Sequence, residues 1–147
     1  MIFDSIDYFI QFVVENDILT MIFLTIVEIN QSRKARTGDI LYNIFHNIHN
    51  TDFLKEVEWF YNFDTSKQYN TISPENIRRA DDVIDTFTRI SFLCNKRVIS
   101  YNDISRMYSG LIIHIWKHAY PYVTSKRKYS GVNNYACYFE ELYYYCV

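Results

Sequence analysis

The 147-residue chain is 49% apolar and 18% aromatic, with 14 Tyr and 11 Phe but only 3 Gly and 2 Pro, enough to bury one core without disulfides or metals. So few breakers exclude an all-β sandwich, which turns roughly every 8–12 residues. A formal net charge of -2 excludes a global positive field that would draw the chain to nucleic acid or an anionic membrane.

Three cysteines, Cys94, Cys137 and Cys146, are an odd number without metal-type spacing, and no secretory leader pattern opens the sequence. The expectation is a reduced, cytoplasmic protein. The apolar run over 9–29 has the length of a membrane span, but Glu15 and Asp17 interrupt it, and one such charge costs roughly 3 kcal/mol at the bilayer centre. Membrane association is therefore not expected, although the basic cluster Arg33, Lys34 and Arg36 follows directly.

In chain order, Asp4 or Ser5 caps a first short helix with the stripe Ile6, Phe9, Ile10 and Val13. The polar Glu15-Asn16-Asp17 ends it. Residues 18–29 are apolar on nearly every side, which predicts a helix covered all round at the centre of the fold or by a partner. It continues as one long helix over about 17–47, with a pair split near Gly38 as the second choice, since Gly there costs about 1 kcal/mol relative to Ala. Asn50, Thr51 or Asp52 opens a brief third helix with the stripe Phe53, Val57, Phe60 and Tyr61, and residues 64–71 form a surface loop.

Ser73-Pro74-Glu75 is a strong helix start, combining a cap oxygen, a first-turn proline and an acid at the positive end of the dipole. Ile77, Ala80, Ile84, Phe87, Ser91 and Cys94 give this helix its buried stripe. Arg78 with Asp82 and Asp85 with Arg89 pair on its solvated side. After the turn NKRVIS a helix over 104–119 carries Ile104, Tyr108, Leu111, Ile115 and Ala119 on one face, and Pro121 stops it at Tyr120. A basic connection leads to a last helix over about 132–145, striped by Tyr135, Phe139, Leu142 and Cys146. The fold class is all-α: a single domain, 1–147, built as an irregular bundle of five or six helices.

The order of features from Gln31-Ser32-Arg33-Lys34-Ala35-Arg36 through Asp85-Thr86-Phe87, the Trp-containing segment 116–121 and the Tyr/Phe-rich segment 127–145 resembles a family of small helical prokaryotic proteins of unknown function. The resemblance implies an α-helical fold and no catalytic activity; separately, no cofactor is expected. That family often inserts its N-terminal hydrophobic helix in a membrane; this chain departs from it by carrying Glu15 and Asp17 there.

The histidines form two helical pairs, His46 with His49 and His114 with His118. Spacings of three and four put two imidazoles on one face, as a shared zinc or other transition metal needs. The protease pattern H-E-x-x-H is absent because Ile115 follows His114. The bland alternative is that His118 is a core-edge histidine bonded to a neighbour.

Lys126-Arg127-Lys128, set among Tyr120, Tyr122 and Tyr129 in the loop 120–129, combines charge with stacking platforms as single-stranded nucleic-acid binders do. A solvated loop is the preferred reading. Asp81-Asp82 and Glu140-Glu141 are neighbours on a helix and point 100° apart, so neither is an acid/base dyad. No Gly-rich phosphate loop, G-x-S-x-G elbow or C-x-x-C occurs. The surplus of Tyr and Trp, above all Tyr143, Tyr144 and Tyr145, fits a surface that is half apolar and half wet. The reading is a non-enzymatic interaction protein, a homo-oligomer or a subunit with a protein partner. Nucleic-acid binding comes second and metal binding by His46, His49, His114 and His118 third.

Overall fold

The computed structural model describes the backbone from residue 2 to residue 147 and the side chains from residue 20 onward. It contains α1 (Ile2–Ile48), α2 (Thr51–Asn62), a 3-10 turn (Tyr69–Thr71), α3 (Pro74–Asn95), α4 (Tyr101–Ser130) and α5 (Cys137–Cys146), with no strand among the described residues. The all-α reading holds. The chain divides into two units, Met1–Asp39 and Ile40–Val147.

Within the first unit, α1 runs unbroken through Glu15-Asn16-Asp17, where the polar residues predicted an end. These three residues are tolerated inside a helix, and no Gly or Pro accompanies them to break the hydrogen-bond ladder. The stripe Ile6, Phe9, Ile10 and Val13 lies outside the described side chains. The helix also passes Gly38 without a split.

The second unit holds the core. Ile44 and Ile48 at the end of α1, Val57 and Phe60 of α2, and the stripes of α3, α4 and α5 are all buried in it. α5 packs on both α3 and α4, α2 packs on α3, and the 3-10 turn packs on α4. Phe87 stacks on Phe139 at 5.0 Å, and Trp116 meets the same ring edge-on at 5.0 Å. That three-ring contact joins α3, α4 and α5, with Phe87 and Phe139 fully buried.

The helix starts follow the cap residues. Asn50 Oδ1 accepts from the Asp52 amide at 2.9 Å, Ser73 Oγ from Asn76 at 3.4 Å and Ser100 Oγ from Asn102 at 3.1 Å. α3 ends in a Schellman turn in which the Val98 amide donates to Leu93 O and the Arg97 amide to Cys94 O. Arg97 takes the left-handed conformation, φ 57°, that Gly usually occupies there.

Pro121 does not stop α4, which continues nine residues beyond it to Ser130. An interior proline costs about 3 kcal/mol, so something must hold the far segment. Tyr122 and Val123 are fully buried directly after it, while Pro121 itself and Lys117, whose carbonyl loses its donor, are exposed. Burial and the ion pairs of the last two turns outweigh the proline. The helix ends at Gly131, φ 70°, whose amide donates to Arg127 O. With α4 reaching so far, α5 starts only at Cys137, five residues later than the tyrosine stripe predicted.

Candidate interaction surface

Residues 21–29 of α1 carry their large apolar side chains exposed, where the sequence predicts a covered helix. Met21 and Phe23 are 68% and 65% exposed, and Ile22, Leu24, Ile26 and Ile29 are each about half exposed. Four consecutive apolar side chains, 100° apart, cover every side of a helix, so the segment has no polar face to turn to water. None of residues 20–39 is among the buried core residues. Thr25 answers its own hydroxyl locally, Oγ1 donating to Met21 O at 2.8 Å. The exposed residues Gln31 to Arg36 then carry the basic cluster. Among the described residues no helix is long and apolar enough to cross a membrane.

The histidines separate in role. His118 Nε2 lies 2.8 Å from Phe60 O and 3.1 Å from Phe63 O, so the ring nitrogen donates to both. Phe60 O also accepts the Phe63 amide at 3.1 Å, so His118 reinforces the C-terminal end of α2 from α4. His49 Nδ1 donates to Phe45 O at 2.9 Å and its ring stacks on Phe45 at 4.1 Å. His46, His49 and His114 are exposed. Among the described residues no group of three or more His, Cys, Asp or Glu comes together to hold a metal ion.

The basic segment is helical, and two of its three cations point inward. Lys126 Nζ lies 2.7 and 2.6 Å from the two Asp81 carboxylate oxygens and 3.9 Å from the centre of the Tyr135 ring. Arg127 donates to Tyr135 O at 2.9 Å and to Glu140 Oε2 at 2.8 Å. Tyr122 is buried and donates to Asp81 Oδ1 at 2.9 Å, as Tyr135 does at 2.6 Å. Asp81 thereby ties α3 to α4 and to the segment before α5. Burial, reinforced by the neighbouring Asp81 carboxylate, pushes both phenols far above their ordinary pKa. Lys128 and Tyr129 remain exposed, Tyr129 donating to Gln68 Oε1 at 3.0 Å.

Of the closing tyrosines, Tyr144 and Tyr145 are exposed, and Tyr145 stacks on Tyr101 at 4.9 Å. Tyr143 packs on Trp116 at 6.1 Å, and with Lys117, Tyr120 and Tyr144 they line an open hollow of about 300 Å³. Cys94 is buried, which pushes its thiol up to about 11, while Cys137 and Cys146 are half-buried.

Asp81 is the residue that sequence reasoning missed. Its partners lie more than forty positions away, so no local spacing marks it. The one available signal is that Asp81 borders the stripe residues Ala80 and Ile84 rather than lying opposite them. No family model matches the chain, and neither the curated proteins nor the solved structures give a match.

Proposed function

We propose that the chain is a non-enzymatic interaction protein that pairs with a second copy of itself through the exposed apolar stretch 21–29 of α1. The observation that carries the reading is the continuous exposure of six large apolar side chains on that one stretch. Monomers rarely leave so contiguous a patch to water. Charge selects the partner and its direction. Glu15 and Asp17 precede the stretch and Arg33, Lys34 and Arg36 follow it. An antiparallel pairing centred near Leu24 brings the acidic end of one copy to the basic end of the other, whereas a parallel pairing sets like against like. Nucleic-acid binding through residues 120–129 ranks below this, because Lys126 and Arg127 spend their charge on Asp81 and Glu140.

Light scattering after size exclusion tests the proposal. The expected result is a dimer that the double substitution Phe23→Glu with Ile26→Glu converts to monomer without loss of helical circular dichroism. A wild-type chain that stays monomeric at high micromolar concentration sinks the pairing. Co-flotation of that monomer with anionic vesicles would reassign the stretch to a lipid surface.

A further inference from the structure

A hollow of about 380 Å³ opens in the second unit between the end of α1, the start of α2 and α3. Its volume falls in the range of small-ligand sites, about 300–1,000 Å³. The walls are apolar: Ile44, Ile48, Phe53, Ile90 and Leu93 line it. Asn47, Asn50, Thr86 and Arg89 supply the polar part of the lining.

These polar groups are unequal in what they can still bond. Arg89 is exposed and forms no ion pair or hydrogen bond among the described residues; the charge acting on it is Asp85, one turn earlier. Thr86 has committed its proton, Oγ1 donating to Asp82 O at 2.9 Å. Asn50 has committed its oxygen, which accepts from the Asp52 amide to cap α2. The protons of Asn50 still free to donate are those of its amide NH2. With the Asn47 amide beside them, the lining offers a guanidinium fork and amide donors above an apolar floor, and its one formal charge is the Arg89 cation, which an anionic group balances.

We infer that this hollow is a binding site for a small amphipathic anion, a medium-chain carboxylate whose head meets Arg89 and the Asn50 amide while its tail lies against Ile48, Phe53 and Ile90. The site is independent of the self-pairing of α1 and of the charges on residues 120–129. The site commits to a carboxylate over a neutral alcohol of equal length, because the alcohol leaves the guanidinium unanswered.

Isothermal titration of the full chain with hexanoate, octanoate and octan-1-ol decides it. Octanoate is expected to bind one per chain, tighter than hexanoate by about fourfold per methylene and tighter than octan-1-ol by about tenfold or more. Arg89→Gln removes the charge at an exposed position. Asn50→Asp keeps the cap oxygen but replaces the amide donors with negative charge. Each is expected to weaken octanoate about tenfold and to leave octan-1-ol unchanged, with circular dichroism showing the fold intact. Ile26→Glu, in the exposed stretch of α1, leaves octanoate binding as it was. Absence of saturable octanoate binding, equal affinity for octan-1-ol, or indifference to both Arg89→Gln and Asn50→Asp overturns the assignment; loss of binding on Ile26→Glu moves the ligand to α1.

Discussion

Two apolar helical stretches of this chain meet opposite fates. In α4, Ile104, Ile112, Ile115 and Ala119 are fully buried, while Arg106, Met107, Gly110 and Lys117 on the same helix are exposed. In α1, residues 21–29 are at least as apolar, yet the large side chains are exposed. The difference lies in arrangement rather than content. α4 concentrates its apolar residues on one face, which α3 and α5 match, and turns the other to water. The α1 stretch is apolar all round, so it has no polar face to turn to water.

Matched substitutions in the two stretches would break or sharpen this contrast. Ile112→Ala opens a cavity in the core and is expected to cost roughly 2–5 kcal/mol, read as a lowered urea midpoint of the full chain. Ile26→Ala, at a position 51% exposed, is expected to stay within about 0.5 kcal/mol when measured at concentrations that keep the chain monomeric. Equal effects would mean that the α1 stretch is as well packed as α4.

The charged residues extend the contrast. Lys126→Ala leaves Asp81 inside the fold without its cation, and for a pair only 14% and 24% exposed the expected loss is about 2–3 kcal/mol. Lys34→Ala, in the exposed part of α1, is expected to leave the urea midpoint unmoved. Next comes Tyr108, whose hydroxyl is buried with no hydrogen-bond partner among the described residues. Tyr108→Phe is expected to add about 1 kcal/mol of stability, read as a raised urea midpoint, and a loss instead would reveal a partner for that oxygen.

The smallest effect is pH-dependent. Burial, and then the neighbouring Asp81, raise the Asp85 pKa above the ordinary carboxylate value. A raised acid pKa means that the folded state binds the proton more tightly than the unfolded chain. Asp85 therefore adds stability as pH falls through its folded pKa towards the unfolded value, and withdraws it as pH rises again. Asp85→Asn is expected to flatten this mildly acidic gain in thermal melts between pH 6 and pH 4; an unchanged slope would place the dependence elsewhere.

Much of α3 was legible in the sequence because its signals are local. Ser73 accepts from Asn76, Pro74 starts the helix, and the stripe from Ala80 to Cys94 is buried. The Arg78–Asp82 pair forms at 3.2 Å on the exposed side, as its spacing of four implies. Pro121 misled because its penalty is local, whereas the burial of Tyr122 and Val123 that opposes it comes from tertiary packing. Glu15-Asn16-Asp17 misled in the same way, polarity alone being too weak a helix stop. Lys126 and Arg127 read as a solvated loop because their partners Asp81 and Glu140 lie on other helices. The exposure of residues 21–29 was hidden for a simpler reason: apolar composition shows that a segment seeks cover and is silent on who supplies it.

The last ten residues of α4 hold a final consequence. A helix past a proline ordinarily frays, and its amides exchange with solvent through small local openings. Here Tyr122 and Lys126 are bonded to Asp81, Arg127 to Tyr135 and Glu140, and Ser125 Oγ accepts the Tyr69 amide at 2.8 Å. Unwinding that segment releases contacts to α3, the 3-10 turn and α5 together. Deuterium uptake by the 122–127 amides should therefore track global unfolding, making the segment beyond the proline one of the slowest in the chain to exchange.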